Sequence, residues 1–78
     1  MKVKQTDQKE IGRVKLGDTQ DLVVSIIDDE KVDLRIFLNT DSYKGPTKRG
    51  VRFYLFDDNW TEFKKLIDEV DKAYGEIA

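Results

Sequence analysis

The hydrophobic period of this chain changes once along its length, and that change limits the fold it can adopt. Through residues 32–39 (VDLRIFLN) apolar and polar side chains alternate. Val32, Leu34, Ile36 and Leu38 share one side, and Asp33, Arg35, Phe37 and Asn39 the other. Residues 51–56 (VRFYLF) repeat the pattern, with Val51, Phe53 and Leu55 facing one way and Arg52, Tyr54 and Phe56 the other. From Trp60 the spacing becomes three and four, through Phe63, Ile67, Val70 and Tyr74. A period of two belongs to a half-buried strand and a period near 3.6 to an amphipathic helix, so strands precede a final helix.

The earlier segments extend the strand count. Residues 22–27 (LVVSII) are rich in β-branched side chains, and residues 11–16 (IGRVKL) alternate weakly. Turn signals separate them: Gly17-Asp18-Thr19-Gln20 after the first strand, and Asp28-Asp29-Glu30-Lys31 after the second. Residues 40–50 hold the only proline, Pro46, and read as a loop. Asn59 with Glu62 three residues on predicts the helix N-cap, and Gly75 predicts its stop. The reading is α+β, in the order β-β-β-β-α. Residues 1–8 are expected to form a flexible polar arm and residues 9–78 one domain.

A chain of 78 residues buries a modest share of its unfolded surface, and domains of this size commonly need a staple. With no cysteine and no histidine, a disulfide, a thiolate metal site and the commonest neutral-pH base are all excluded. No cofactor or metal is expected. Oligomerisation is the remaining staple. Leu66 and Ala73 broaden the helix stripe, so with Val70 of the stripe they are the expected contacts of a homodimer. No apolar run approaches the roughly 20 residues of a membrane span, and the Lys-rich start has no signal-peptide core, so a cytoplasmic protein is expected.

The net charge of −2 hides an uneven distribution. Residues 43–52 contain Lys44, Lys48, Arg49 and Arg52 and no acid, whereas residues 57–78 are acidic overall. Setting the strands side by side gathers Val14, Leu16, Val32, Leu34, Ile36, Leu38, Val51, Phe53 and Leu55 on one face, which the helix is expected to cover. The opposite face gathers Arg13, Lys15, Arg35, Phe37, Arg52 and Tyr54, with Asp33 as its only expected acid. The side taken by Leu22, Val24 and Ile26 is open, because the second strand is apolar on both faces. Cations interleaved with aromatic rings suit single-stranded nucleic acid, which needs charge for its phosphates and flat plates for unstacked bases. The segment 43–50 (YKGPTKRG) adds Tyr43, Lys44, Lys48 and Arg49 beside this face, with Pro46 stiffening it and Gly45 and Gly50 allowing close approach.

Over residues 22–74 the order of parts resembles the single-stranded-DNA-binding domain of the transcriptional coactivator positive cofactor four and its small bacterial relatives. The resemblance rests on Asp33-Leu34-Arg35, on Pro46-Thr47-Lys48-Arg49-Gly50, and on the helix opening at Trp60 (WTEFKKLIDEVDKA). It implies a curved four-stranded antiparallel sheet, a homodimer formed through the helices, and two oppositely directed strand-binding channels. It also implies backbone contacts from Arg35, Lys48, Arg49 and Gly50, with Pro46 shaping the loop. The sequence departs from the family at Asp28-Asp29-Glu30-Lys31, which adds acid and lacks an aromatic residue. Stacking then falls to Phe37, Tyr43 or Tyr54, with Lys31 among the surrounding cations.

The resulting expectation is a non-enzymatic protein that binds single-stranded DNA with little sequence preference, in transcription regulation or in replication and repair. RNA is not distinguished from DNA by any residue type present. Ser25 and Ser42 have no histidine partner, and no small-molecule substrate is implied. The acidic turn lacks calcium-loop spacing. The alternative is a protein-interaction module that binds a transcription protein through its helix and acidic C-terminal part.

Overall fold

In a computed structural model, which describes residues 7–77, four strands precede one helix. They are β1 (Gln8–Lys15), β2 (Gln20–Ile27), β3 (Lys31–Asn39) and β4 (Lys44–Tyr54), followed by α1 (Asp58–Ile77). The strands form one antiparallel sheet in the order β1-β2-β3-β4, so the α+β arrangement read from the sequence holds. The expected flexible arm lies largely outside the described residues, but its end does not. Gln8 opens β1, and the Asp7 amide donates to Asp28 Oδ1 at 2.8 Å.

Asp28 and Asp29 both have positive φ, 55° and 57°, and the Glu30 amide closes the turn on the Ile27 carbonyl at 3.0 Å. Two left-handed residues in succession match the right-handed twist of the flanking strands, and aspartate tolerates that conformation. The acidic turn therefore has a conformational role. Among the described residues no group of three or more acidic side chains is placed to hold a metal ion.

Register resolves the undecided second strand. Leu22, Val24 and Ile26 stand opposite Ile36, Leu34 and Val32, and Phe53 and Val51 continue the same apolar face on β4. Val23, Ser25 and Ile27 turn to the other face and, with Val32 and Asp33, are the most buried residues. The tightest burial of β2 is thus on the basic face. Val23 lies between Arg13 and Arg35, and Ile27 between Gln8 and Lys31, so long side-chain stems cover them.

The helix was expected to cover the apolar face, and it does so only at one corner. Phe53 meets Trp60 and Phe63 with ring centroids 6.3 and 5.7 Å away, while Trp60 and Phe63 stack at 6.2 Å. Beyond this cluster the stripe is bare: Leu66 is 62% exposed, Val70 65% and Ile77 82%. α1 starts at Asp58, one residue before the expected Asn59 cap, with the Trp60 amide donating to the Asp57 carbonyl at 3.3 Å. Asp57 and Asp58 suit the positive end of the helix dipole. Gly75 lies inside the helix rather than stopping it. No helix of the described residues is long and apolar enough to cross a membrane.

Candidate nucleic-acid interface

The strand register arranges the basic face in rows. From one end these are Gln8-Ile27-Lys31-Tyr54, Glu10-Ser25-Asp33-Arg52, Arg13-Val23-Arg35-Gly50 and Lys15-Asp21-Phe37-Pro46, with Asn39 and Lys44 paired beyond. Arg13, Lys15, Lys31, Arg35, Phe37, Arg52 and Tyr54 therefore do share one face. Asp33 is not the only acid there. A bulge between Glu10 and Gly12 shifts the phase of β1, so that Glu10 and Arg13 face the same way, and Asp21 joins them from β2.

Segment 43–50 is not a free loop. Residues 44–50 belong to β4, and only a short turn at residues 40–43 precedes them, where the Thr40 amide donates to the Tyr43 carbonyl at 2.9 Å. β4 is an edge strand, so the missing N–H of Pro46 is tolerated. The Tyr43 hydroxyl donates to the Pro46 carbonyl, and its ring lies beside Gly45, whose φ is 147°. Between the pairs Arg35–Gly50 and Phe37–Pro46, β3 contributes only Ile36 while β4 contributes Thr47, Lys48 and Arg49. This bulge, three residues against one, carries two adjacent exposed cations. Gly50 closes it: a Cβ there would lie 2.4 Å from the Leu34 carbonyl oxygen and 2.9 Å from Arg35 Cα.

The cations divide into two classes. Asp33, almost wholly buried, accepts from Arg35 Nε (3.0 Å) and Nη2 (2.7 Å) and from Arg52 Nε (3.2 Å). These bonds, from Arg35 first, hold its carboxyl below the usual carboxylate range against the opposing effect of burial. Arg35 is correspondingly raised. Arg13 bonds both Glu10 oxygens (3.0 and 2.8 Å) and Asp21 (3.2 Å), which lowers Glu10. Lys31 lies 3.9 Å from Glu30. In contrast, Lys15, Lys44, Lys48 and Arg49 have no ion-pair partner among the described residues.

Two of the three candidate stacking rings are capped by cations. The Arg13 guanidinium sits 5.3 Å from the Phe37 centroid, and Lys31 Nζ sits 5.1 Å from that of Tyr54. Among the described residues Tyr43 has no cation over it, and it is about half exposed. The expected cations and rings Arg13, Lys15, Arg35, Phe37, Arg52 and Tyr54 do share a face, but the sequence did not place Glu10, Asp21 and Thr47 beside them. The acids were hidden by the β1 bulge, and Thr47 by its neutral character. The expected dimer contacts Leu66, Val70 and Ala73 are all exposed on α1. Comparison of the chain with known protein families, with curated proteins and with solved structures finds no match.

Proposed function

We propose that this chain binds single-stranded DNA with little sequence preference, through the Arg13–Tyr54 face and the Lys48–Arg49 bulge. The observation that carries the reading is the row arrangement. Cations without carboxylate partners among the described residues (Lys15, Lys44, Lys48 and Arg49) border a surface that holds the half-exposed Tyr43 ring and the Phe37 and Tyr54 rings beneath Arg13 and Lys31. Phosphates bind the free cations by releasing counterions, and unstacked bases lie against the rings or on the guanidinium plane of Arg13. Arg35 and Arg52, already shared by Asp33, keep the middle of the face rigid. Duplex DNA hides its base faces, so the rings favour separated strands.

The protein works as a homodimer in this proposal. The bare stripe of Leu66, Ile67, Val70 and Tyr74 continues from a groove lined by Phe53, Phe63 and Leu66, with Asn59 and Glu62 at its side. Both belong to a surface far more apolar than a lone helix in water favours. A second copy covers them symmetrically, as in the resembled coactivator family, and holds two strands apart in transcription or in replication and repair. The place of action is the cytoplasm, on the nucleoid. The same bare stripe favours a second reading, a docking site for a transcription protein.

A labelled oligo-dT titrated with protein, against unlabelled duplex competitor, tests the proposal. Preference for the single strand that is lost in Lys48→Glu/Arg49→Glu supports it. Equal competition by duplex, or binding indifferent to the charge reversal, rejects it. A protein contact made through the helix survives that reversal, which separates the two readings.

A further inference from the structure

The bulge that carries Lys48 and Arg49 is held by an internal chain of hydrogen bonds. It begins at the buried Asp33 carboxylate, which grips Arg35 through Nε and Nη2 at 3.0 and 2.7 Å. The remaining edge of that guanidinium, Nη1, donates to the Thr47 carbonyl at 3.0 Å. The Thr47 hydroxyl then donates to the Ile36 carbonyl at 2.7 Å and accepts from the Arg49 amide at 3.1 Å. Ile36 is the β3 residue left facing the extra residues of β4, so this hydroxyl bridges the gap where the ladder is interrupted.

We infer that Thr47 and Arg35 are positioning residues for nucleic-acid binding, fixing the bulge so that Lys48 and Arg49 stand ready for adjacent phosphates. The inference rests on the single-stranded-DNA reading and gives Arg35 a different role within it. Three of its five N–H donors are spent inside the protein, two of them on the Asp33 carboxylate that it shares with Arg52. Arg35 acts through the bulge rather than on the phosphate. A bulge without ladder bonds samples several conformations, and each must be given up on binding. One held in advance loses less entropy.

The test compares Thr47→Val, which keeps the shape and removes the hydroxyl, with Thr47→Ser, which keeps the hydroxyl. Two quantities are read: exchange of the Arg49 amide by NMR in the free protein, and oligo-dT affinity over a salt series. The expected result is faster Arg49 exchange and about five-fold weaker binding in Thr47→Val. The salt slope should stay unchanged, because no cation is lost. Thr47→Ser should restore both quantities. Lys48→Ala is the contrasting contact variant, and its slope should shrink by about 0.7. Unchanged binding by Thr47→Val, alongside normal binding by the parent protein, overturns the positioning role. Unchanged Arg49 exchange overturns the bond chain itself. Failure of the parent protein to bind oligo-dT overturns the DNA reading and the positioning role together, while Arg49 exchange still decides whether the chain holds the bulge.

Discussion

Gly50→Ala should be among the most damaging single-methyl additions in this protein. The added Cβ would lie 2.4 Å from the Leu34 carbonyl oxygen and 2.9 Å from Arg35 Cα, and both of these are backbone atoms of the central strand β3. A flexible side chain could turn away; a ladder strand cannot. Overpacking of this kind costs about 1–3 kcal/mol, and separating β3 from β4 at the Arg35–Gly50 pair adds about 1 kcal/mol for a lost hydrogen bond. A chain of this length has a total stability of about 4–12 kcal/mol, so the variant forfeits a large share. The melting temperature should fall by roughly 10–25 °C. Gly75→Ala gives the opposite sign. That residue sits within α1 with nothing within 4 Å of its Cβ position, so alanine should stabilise by about 0.5–1 kcal/mol. The assay is thermal unfolding by far-UV circular dichroism at one fixed protomer concentration, since the proposed dimer would make melting concentration-dependent. If Gly50→Ala melts with the parent protein, the close approach of β4 to β3 is wrong and the bulge geometry falls with it.

Ser25 is buried with its hydroxyl unpartnered among the described residues, so Ser25→Ala should stabilise by about 1 kcal/mol in denaturant unfolding; a comparable loss would mean that the hydroxyl is bonded. Asp33 has a folded-state pKa held below its unfolded value near 3.9, so its contribution is present above that pH and is lost as pH falls through the folded value. Asp33→Asn should therefore flatten the acid limb of the stability–pH curve, and an unaltered limb would contradict the assignment. Leu66→Glu with Val70→Glu should convert a dimer to a monomer in sedimentation velocity. If the parent sediments as a monomer at micromolar concentration, the stripe has another partner.

The strands and helix were legible where one face had to be apolar: residues 32–39 and the Trp60–Tyr74 spacing carry their period openly. The alternation of residues 51–56 instead runs past the strand, which ends at Tyr54 and leaves Leu55 and Phe56 outside it. Less was legible in residues 43–50, because Gly45, Pro46 and Gly50 are ordinary loop residues. Each has a place here only because β4 is an edge strand: Pro46 needs no ladder donor, and Gly50 permits the close approach after the bulge. The acids of the candidate site were hidden for a related reason. Glu10 and Arg13 differ by an odd number of residues, which simple alternation assigns to opposite faces, and only the β1 bulge brings them together. Helix coverage was misjudged because periodicity reports which face is apolar and says nothing of what lies against it.

The most direct test of the account is the salt dependence of oligo-dT binding. The face and its bulge carry eight cations, Arg13, Lys15, Lys31, Arg35, Lys44, Lys48, Arg49 and Arg52, but only four lack a carboxylate partner among the described residues. If only the free four release counterions, the slope of log K against log salt should be about −3 per protomer, at about 0.7 for each phosphate neutralised. Lys48→Glu/Arg49→Glu should at least halve it. A slope near −5 would mean that the arginines leave their acids to grip phosphate, contradicting the internal pairing. No salt-dependent binding at all, even at low ionic strength, would leave the face as a solvated surface and end the single-stranded-DNA proposal.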